Sequence, residues 1–296
     1  MKKSRIVKSK QLTHLQNEVF ILSRLRCPFV IELHAVFQDE NTVYLLLDYI
    51  EGGELFSHLR RDKKFPLPIY QFYAMELCCL LYHCHSVNII IRDLKPENIG
   101  ITRQGHLRLL DCSLAKQIEN RTYTICGTPE YISPEMIQGY GYGISIDYWA
   151  LGIIIHEMAL GYPPFYGRNP FVIYRKILQA SLPMIPTSTT SKEDMISPPS
   201  KAFIRGLLTI DRTIRLGCTS FHTQITTHSF FLGVDWNSAF RELIVSPMIP
   251  TVSTAGDSSN YDYYPEEVME EAVSLTLEER GLFGSIEEIL LRPKVI

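Results

Sequence analysis

A chain of 296 residues with 46% hydrophobic side chains can bury a large core, as one domain or as two lobes. Its 29 basic and 32 acidic residues leave a net charge of −3, which offers no basic footprint for nucleic acid. Seven cysteines, at 27, 78, 79, 84, 112, 126 and 218, lack C-x-x-C spacing, so reduced thiols in the cytosol or nucleus are expected, without a disulfide frame or zinc site. No apolar run follows the basic Met1-Lys2-Lys3-Ser4-Arg5, which excludes a secretory signal there. Lys2 in place of glycine excludes N-myristoylation of this form of the chain. The longest apolar stretch, 148–162, is interrupted by His156 and Glu157 and is too short to span a bilayer.

Residues 10–25 carry Leu12, Leu15, Val19, Leu22 and Leu25 at helical intervals, which predicts an amphipathic helix that includes Glu18. Strand-like runs at 29–37 and 42–49 follow, joined by the polar turn Gln38-Asp39-Glu40-Asn41. Glu51-Gly52-Gly53-Glu54-Leu55-Phe56 reads as a glycine-hinged entry to a helix, and 69–85 as a mostly apolar helix. Short strands at 89–91, 99–101 and 107–110 flank Ile91-Arg92-Asp93-Leu94-Lys95-Pro96-Glu97-Asn98. Residues 111–135 form a long irregular segment punctuated by Gly127, Pro129 and Pro134, and long ordered loops are usually functional. Residues 145–160 are hydrophobic on nearly every face, as a core helix must be. From 182 to 200 a Pro-, Ser- and Thr-rich surface insertion is expected, with helix resuming near 201–208. Beyond about 245 the pattern fades into an acidic tail with Glu266, Glu267, Glu270 and Glu271.

Asp93, Lys95 and Asn98, with Asp111 after the next strands, combine two carboxylates, an ammonium and an amide. That set reads as a phosphoryl-transfer site. Asp93 would orient a hydroxyl and accept its proton, and Lys95 would neutralise the moving phosphoryl group. Asn98 and Asp111 would hold magnesium, which asks for a few oxygen ligands besides the substrate phosphates. A polar turn between strands explains any one of these residues but not the ordered set.

Together with Glu51-Gly52-Gly53-Glu54-Leu55-Phe56, Cys126-Gly127-Thr128-Pro129-Glu130-Tyr131, Gly161-Tyr162-Pro163-Pro164-Phe165 and Gly256-Asp257-Ser258-Ser259-Asn260-Tyr261, this segment resembles the AGC group of Ser/Thr protein kinases, the cAMP-dependent type above all. The resemblance runs from about 5 to 286. It implies an α+β, bilobal protein-kinase-like fold with an incomplete N-terminal β-lobe (1–50), a mainly helical large lobe (51–243) and an AGC-type C-terminal tail (244–296). It implies ATP and Mg2+ as cofactors, with Asp48, Ile50, Glu54 and Tyr261 at the nucleotide and Tyr264 closing over it.

The same resemblance makes Thr124 a phosphothreonine, its phosphate ordered by His14, Arg92 and Lys116. Glu135 would pair with Arg215, Asp147 would anchor the catalytic loop, and Thr128 would bond near Asp93 and Lys95. Glu54, Glu97, Glu157 and Glu130 would receive substrate arginines. Ile125, Pro129 and Ile132 would form a socket for the apolar residue after the phosphorylated one. Protein substrates of the form Arg-Arg-x-Ser/Thr-apolar are implied, with a cAMP-kinase regulatory subunit or inhibitor peptide as partners and neither nucleic acid nor membrane. Phe283 and Ile286 resemble a terminal hydrophobic motif that docks on the small lobe beside the helix of Glu18.

The pattern also breaks. Upstream of Glu18 these residues contain no G-x-G-x-x-G loop and no strand bearing the phosphate-binding Lys. Lys2 falls too close to Glu18 to replace it and reads as the start of a connecting loop. Cys112 and Ser113 stand where the family has Phe and Gly. Losing the aromatic from its column with Leu22, Leu33 and Ile91 removes packing worth about 1–3 kcal/mol. Ile91 replaces His or Tyr. Gly100 replaces a leucine under the adenine ring, so the floor of that site is expected to be missing. Two functions follow: an ATP-dependent Ser/Thr kinase, or a catalytically impaired pseudokinase acting as a binding module for regulatory subunits or pseudosubstrates.

Overall fold

The computed structural model describes residues 1–179, 196–263, 275–284 and 286. The expected insertion at 182–200 lies mostly outside them, as do Tyr264, the acidic run 266–271 and 287–296. Met1 and Lys2 run antiparallel to the strand at Val43: the Val43 N–H donates to Met1 O (2.9 Å) and the Met1 ammonium to Val43 O (2.7 Å). Lys2 is therefore paired backbone, bridged to Thr42, and not the start of a loop. A short helix, α1 (Lys3–Lys8), follows, then α2 (Leu12–Arg24), which buries Leu15, Val19 and Leu22 as its periodicity predicts. β1 (Leu33–Gln38) and β2 (Val43–Leu47) form an antiparallel hairpin with a bulge at His34.

The large lobe begins with α3 (Leu55–Asp62) and α4 (Leu67–Ser86). β3 (Ile89–Ile90), β4 (Ile99–Ile101), β5 (Leu107–Leu109) and β6 (Lys116–Gln117) pair as β3–β6 and β4–β5, all antiparallel. α5 (Pro134–Ile137) starts at Ser133, whose hydroxyl accepts from Met136 N–H at 3.4 Å. α6 (Ser145–Leu160) is buried along nearly its whole length and stops at Gly161, whose φ of +88° is costly for any residue with a Cβ. α7 (Pro170–Leu178) and α8 (Pro198–Leu207) are capped by Asn169 and Ser197, so the second starts three residues earlier than its apolar pattern indicated. α9 (Trp236–Phe240) closes the lobe.

One core runs through both lobes. Backbone bonds from Ile31 N–H to Leu109 O (3.0 Å) and from Leu109 N–H to Phe29 O (2.8 Å) stitch the small lobe to β5. Cys112 is 1% exposed and belongs to the same buried core as Leu22, Leu33 and Ile91. All seven cysteines are free thiols, and among the described residues no helix is long and apolar enough to cross a membrane.

The tail crosses the hinge between the lobes. Asn260 donates to Glu51 O (3.0 Å) and Thr251 O (2.9 Å), Tyr261 Oη to Ile50 O (2.6 Å), and Tyr49 Oη to Asp257 O (3.0 Å). Gly53 (φ +80°) permits this approach, since a Cβ there would stand 2.6 Å from Asn260 O. The last helix, α10 (Leu277–Gly281), has a capping box between Thr276 and Glu279. Beyond it Phe283 and Ile286 are buried in the common core, with Lys3 Nζ 5.2 Å from the Phe283 ring and Gln38 donating to Phe283 O (3.5 Å).

Candidate active site

Residues 91–98 lie between β3 and β4, and the buried start of α6 holds them. Asp147, 1% exposed, accepts from Ile91 N–H and Arg92 N–H at 3.0 Å each and from His85 Nε2 at 2.8 Å. Arg92 sits at φ +70°, left-handed for a residue with a Cβ, and both carboxylate oxygens of Asp147 fix it there. Asp147→Ala would leave two buried amides without an acceptor, at about 1–3 kcal/mol each. Urea unfolding is expected to show a loss on the order of 3 kcal/mol. A variant as stable as the parent would contradict the anchoring.

From that base Asp93 reaches Thr128 through Oδ1, accepting from its N–H (3.1 Å) and Oγ1 (3.0 Å). Its Oδ2 accepts from Lys95 Nζ (2.9 Å) and Asn98 Nδ2 (3.1 Å). Lys95 also donates to Thr128 Oγ1 at 2.8 Å, and Asn98 to Asp93 O at 2.9 Å. Gly127 (φ +98°) allows this closure, because a Cβ there would meet Arg92 O at 2.8 Å. Leu110 N–H donates to Asn98 O at 2.8 Å, which sets Asp111 beside Asn98 along the chain path. Asp93 and Asp111 line one cavity of ≈ 680 Å³ with Glu18, His14 and Ser113. Asp93 and Asp111 thus share a cleft, and Lys95 and Asn98 stand behind it through their bonds to Asp93.

Burial and the negative charge of Asp111 push the Glu18 carboxyl up to about 7. Asn17 donates from α2 to Ala115 O (2.6 Å) and Ser113 O (3.3 Å), tying this helix to the segment after Asp111. Ser113 N–H returns to Asp111 Oδ1 at 2.7 Å. Asn17 and His85 had no signal in the sequence, since each acts only through partners far along the chain. The oxygens that Asp111 and Asn98 offer to a cation are the carboxylate and the side-chain carbonyl, the Asn98 NH2 being spent on Asp93. Such a set suits Mg2+.

The segment after the cleft is pinned by Glu135 and Arg215. Arg215 is 0% exposed and pairs bidentately with Glu135 at 2.7 and 2.9 Å, while Ser145 Oγ donates to Glu135 Oε1 at 2.6 Å. Thr124 is exposed. Its carbonyl accepts from Tyr142 Oη, Lys116 donates to Thr122 Oγ1 (3.0 Å), and Arg92 Nε donates to Leu114 O (2.5 Å).

The four glutamates expected to meet arginines sit close enough to repel one another. Burial raises Glu54 and Glu157, and the charge of Glu97 raises both further. Glu130 adds to the effect at Glu157, which accepts from Tyr131 Oη at 2.5 Å. Glu97 Oε2 is buried without a partner. Of the apolar socket, Ile125 is 60% exposed and Pro129 half-buried, whereas Ile132 is buried in a cluster with Ile90, Met136, Tyr142 and Ile146.

At the hinge the Asp48 carboxylate accepts from Glu32 N–H (3.1 Å) and contacts His34 Nε2 (2.7 Å), and the Asp48 N–H donates to Glu32 O (3.1 Å), so only its carbonyl is left for a nucleotide. The Ile50 carbonyl is occupied by Tyr261. Leu110 and Ile50 pack against Gly100, where a Cβ would stand 2.8 Å from Leu110 Cδ2 and 2.9 Å from Ile50 Cγ2.

A bilobal fold with an aspartate, lysine and asparagine on a loop that α6 holds defines a protein kinase, and residues 1–231 match the protein kinase domain. The chain belongs to that family. It is 43% identical over 272 residues to the cAMP-dependent protein kinase catalytic subunit of Dictyostelium discoideum, covering 92% of this chain and 41% of that one. It is 42% identical over 263 residues to cAMP-dependent protein kinase catalytic subunit 3 of Drosophila melanogaster, covering 88% and 44%. With the mouse cAMP-dependent protein kinase catalytic subunit PRKX it shares 40% over 272 residues, covering 92% and 74%. The chain thus spans less than half the length of the first two relatives. Within the family it is an AGC kinase of the cAMP-dependent type, and the relatives lend no support to the binding-module alternative.

Proposed function

We propose that this chain transfers the γ-phosphoryl group of ATP to a serine or threonine lying downstream of arginines. The observation that carries the reading is the Asp93 carboxylate held by Thr128, Lys95 and Asn98 at the mouth of the cavity that Asp111 shares. Asp93 orients the accepting hydroxyl and takes its proton, while the Lys95 ammonium stabilises charge on the phosphoryl oxygens. Thr128 fixes Asp93 and Lys95 at once, so the acceptor and the cation keep one spacing. Asn98 and Asp111 would hold Mg2+, which when bound would neutralise charge on the nucleotide phosphates. The backbone at Asp48 and Ile50, with Glu54 and Tyr261, borders the nucleotide.

Glu54, Glu97, Glu130 and Glu157 make the peptide groove a receptor for guanidinium groups. Their mutual repulsion and burial are relieved when a cation enters, which favours arginine over a neutral side chain. Ile125 and Pro129 receive the apolar residue that follows the acceptor. A regulatory subunit or inhibitor peptide carrying the same arginines would occupy the same groove. Phosphate on the exposed Thr124 draws in His14, Arg92 and Lys116 and orders the segment, and the chain acts in the cytosol or nucleus.

Phosphate incorporation into Arg-Arg-x-Ser-apolar peptides with Mg-ATP tests the assignment. Each arginine replaced by alanine is expected to lower kcat/KM about 10- to 100-fold, as for a lost hydrogen-bonded charge pair. Equal rates on the arginine and alanine peptides, or no incorporation into any, would refute it.

A further inference from the structure

Glu32, His34 and Asp48 come together where β1 begins and β2 ends. A carboxylate oxygen from each acid and an imidazole nitrogen of His34 all lie within 4.8 Å of one another. Leu33 pairs with Leu47 and Ala35 with Leu46, so His34 is the extra residue of the bulge, and a bulge re-aims the side chain it carries. Its Nε2 stands 2.7 Å from Asp48 Oδ1. Glu32 and Asp48 face each other across the strands, the Asp48 N–H donating to Glu32 O and the Glu32 N–H to Asp48 Oδ2, each at 3.1 Å. Neighbouring strands, not a loop, therefore fix the spacing. Among the described residues the Glu32 carboxylate takes part in no hydrogen bond or ion pair, so two carboxylates share one imidazole. Glu32 and Asp48 also line a cavity of ≈ 390 Å³ with Leu22, Leu25 and Arg108, which leaves room for water beside an ion.

We propose that Glu32, His34 and Asp48 form a binding site for a zinc-like divalent cation, with a water from the cavity as fourth ligand. One imidazole nitrogen and two carboxylate oxygens with an open position suit Zn2+, whose bonds to them run about 2.0–2.2 Å. At that length two ligands of a tetrahedron stand about 3.4 Å apart. The 2.7 Å pair opens slightly and the exposed Glu32 carboxylate swings in, both small side-chain movements. Magnesium favours an all-oxygen shell, so the imidazole separates this site from the one at Asn98 and Asp111. The similar group of Glu76, His106 and Glu242 is already committed: Arg108 holds Glu242, while Leu107 N–H and His106 hold Glu76. The ion needs no nucleotide. Once bound, it clips the start of β1 to the end of β2 at the hinge.

The metal-stripped parent, Glu32→Gln, His34→Gln and Asp48→Asn are titrated with Zn2+ by calorimetry and melted with and without it. The parent is expected to bind one Zn2+ and to melt about 3–8 °C higher at a hundredfold excess over Kd. Each substitution should melt near the metal-free parent and weaken binding by at least about 10- to 100-fold, the loss that even an outer partner of a metal ligand brings. Mg2+ at the same concentration should give no such rise. Co2+ in place of Zn2+ should show the visible absorption of a tetrahedral ion without a sulfur-to-metal charge-transfer band. No binding by the parent, binding that survives His34→Gln unchanged, or a charge-transfer band that places the ion on a cysteine overturns the site. Equal binding of Mg2+ and Zn2+ overturns it as well, because the imidazole would then contribute nothing.

Discussion

Arg215→Met is expected to lower the unfolding free energy by about 3–5 kcal/mol, because it strands a buried carboxylate. Arg215 makes two bonds to Glu135 and further bonds to Ser145 O (2.8 Å), Thr209 O (2.8 Å) and Ile210 O (3.2 Å), with its guanidinium 5.1 Å from the Trp149 ring centroid. Burial pushes the Glu135 carboxyl up, but the Arg215 guanidinium outweighs it and holds the group below the usual carboxylate range. The folded-state value lies below the unfolded one. The pair's contribution is therefore complete above the ordinary glutamate range and fades as pH falls through the folded value. In Arg215→Met the stranded Glu135 keeps its burial and the Ser145 hydroxyl but loses the guanidinium, so protonation relieves it at a higher pH. Urea unfolding should show the gap between variant and parent at its widest near neutral pH and narrower in acid. Adding Glu135→Gln should recover part of the loss. A gap that does not change with pH would mean that Glu135 is not the group left unpaired.

What could be read from the chain alone was local. The helices holding Glu18 and Asp147 declared themselves by periodicity and by an unbroken apolar run, and the segment 91–98 by its ordered residue types. The short helix Lys3–Lys8 escaped because six residues carry too little pattern, and the backbone pairing of Met1 and Lys2 with β2 decides where it starts. β6 is two residues long and exists only because Ile89–Ile90 lies beside it.

The site divides the same way. Asp93, Lys95, Asn98 and Thr128 converge as the family resemblance implied, whereas Asn17 and His85 enter through bonds spanning 98 and 62 residues. The same holds for Arg108, which pairs with Glu242 and so fastens the end of the large lobe to β5, while His106 beside it bonds to the buried Glu76 at 2.7 Å. Gly100 shows the opposite failure. Taken alone it signals missing bulk, and only the packing reveals Leu110 and Ile50 lying against it.

The central claim is that Asp93 takes the proton of the accepting hydroxyl. Asp93→Asn keeps nearly the same shape but removes the charge that Lys95 and Asn98 donate to, and with it the base. The direct measurement is steady-state phosphorylation of an Arg-Arg-x-Ser peptide by the parent and by Asp93→Asn, with melting temperatures recorded for both. The account predicts turnover lower by about 10²- to 10⁴-fold with little change in peptide KM, in a protein that melts close to the parent. Turnover by a folded Asp93→Asn equal to that of the parent would contradict it.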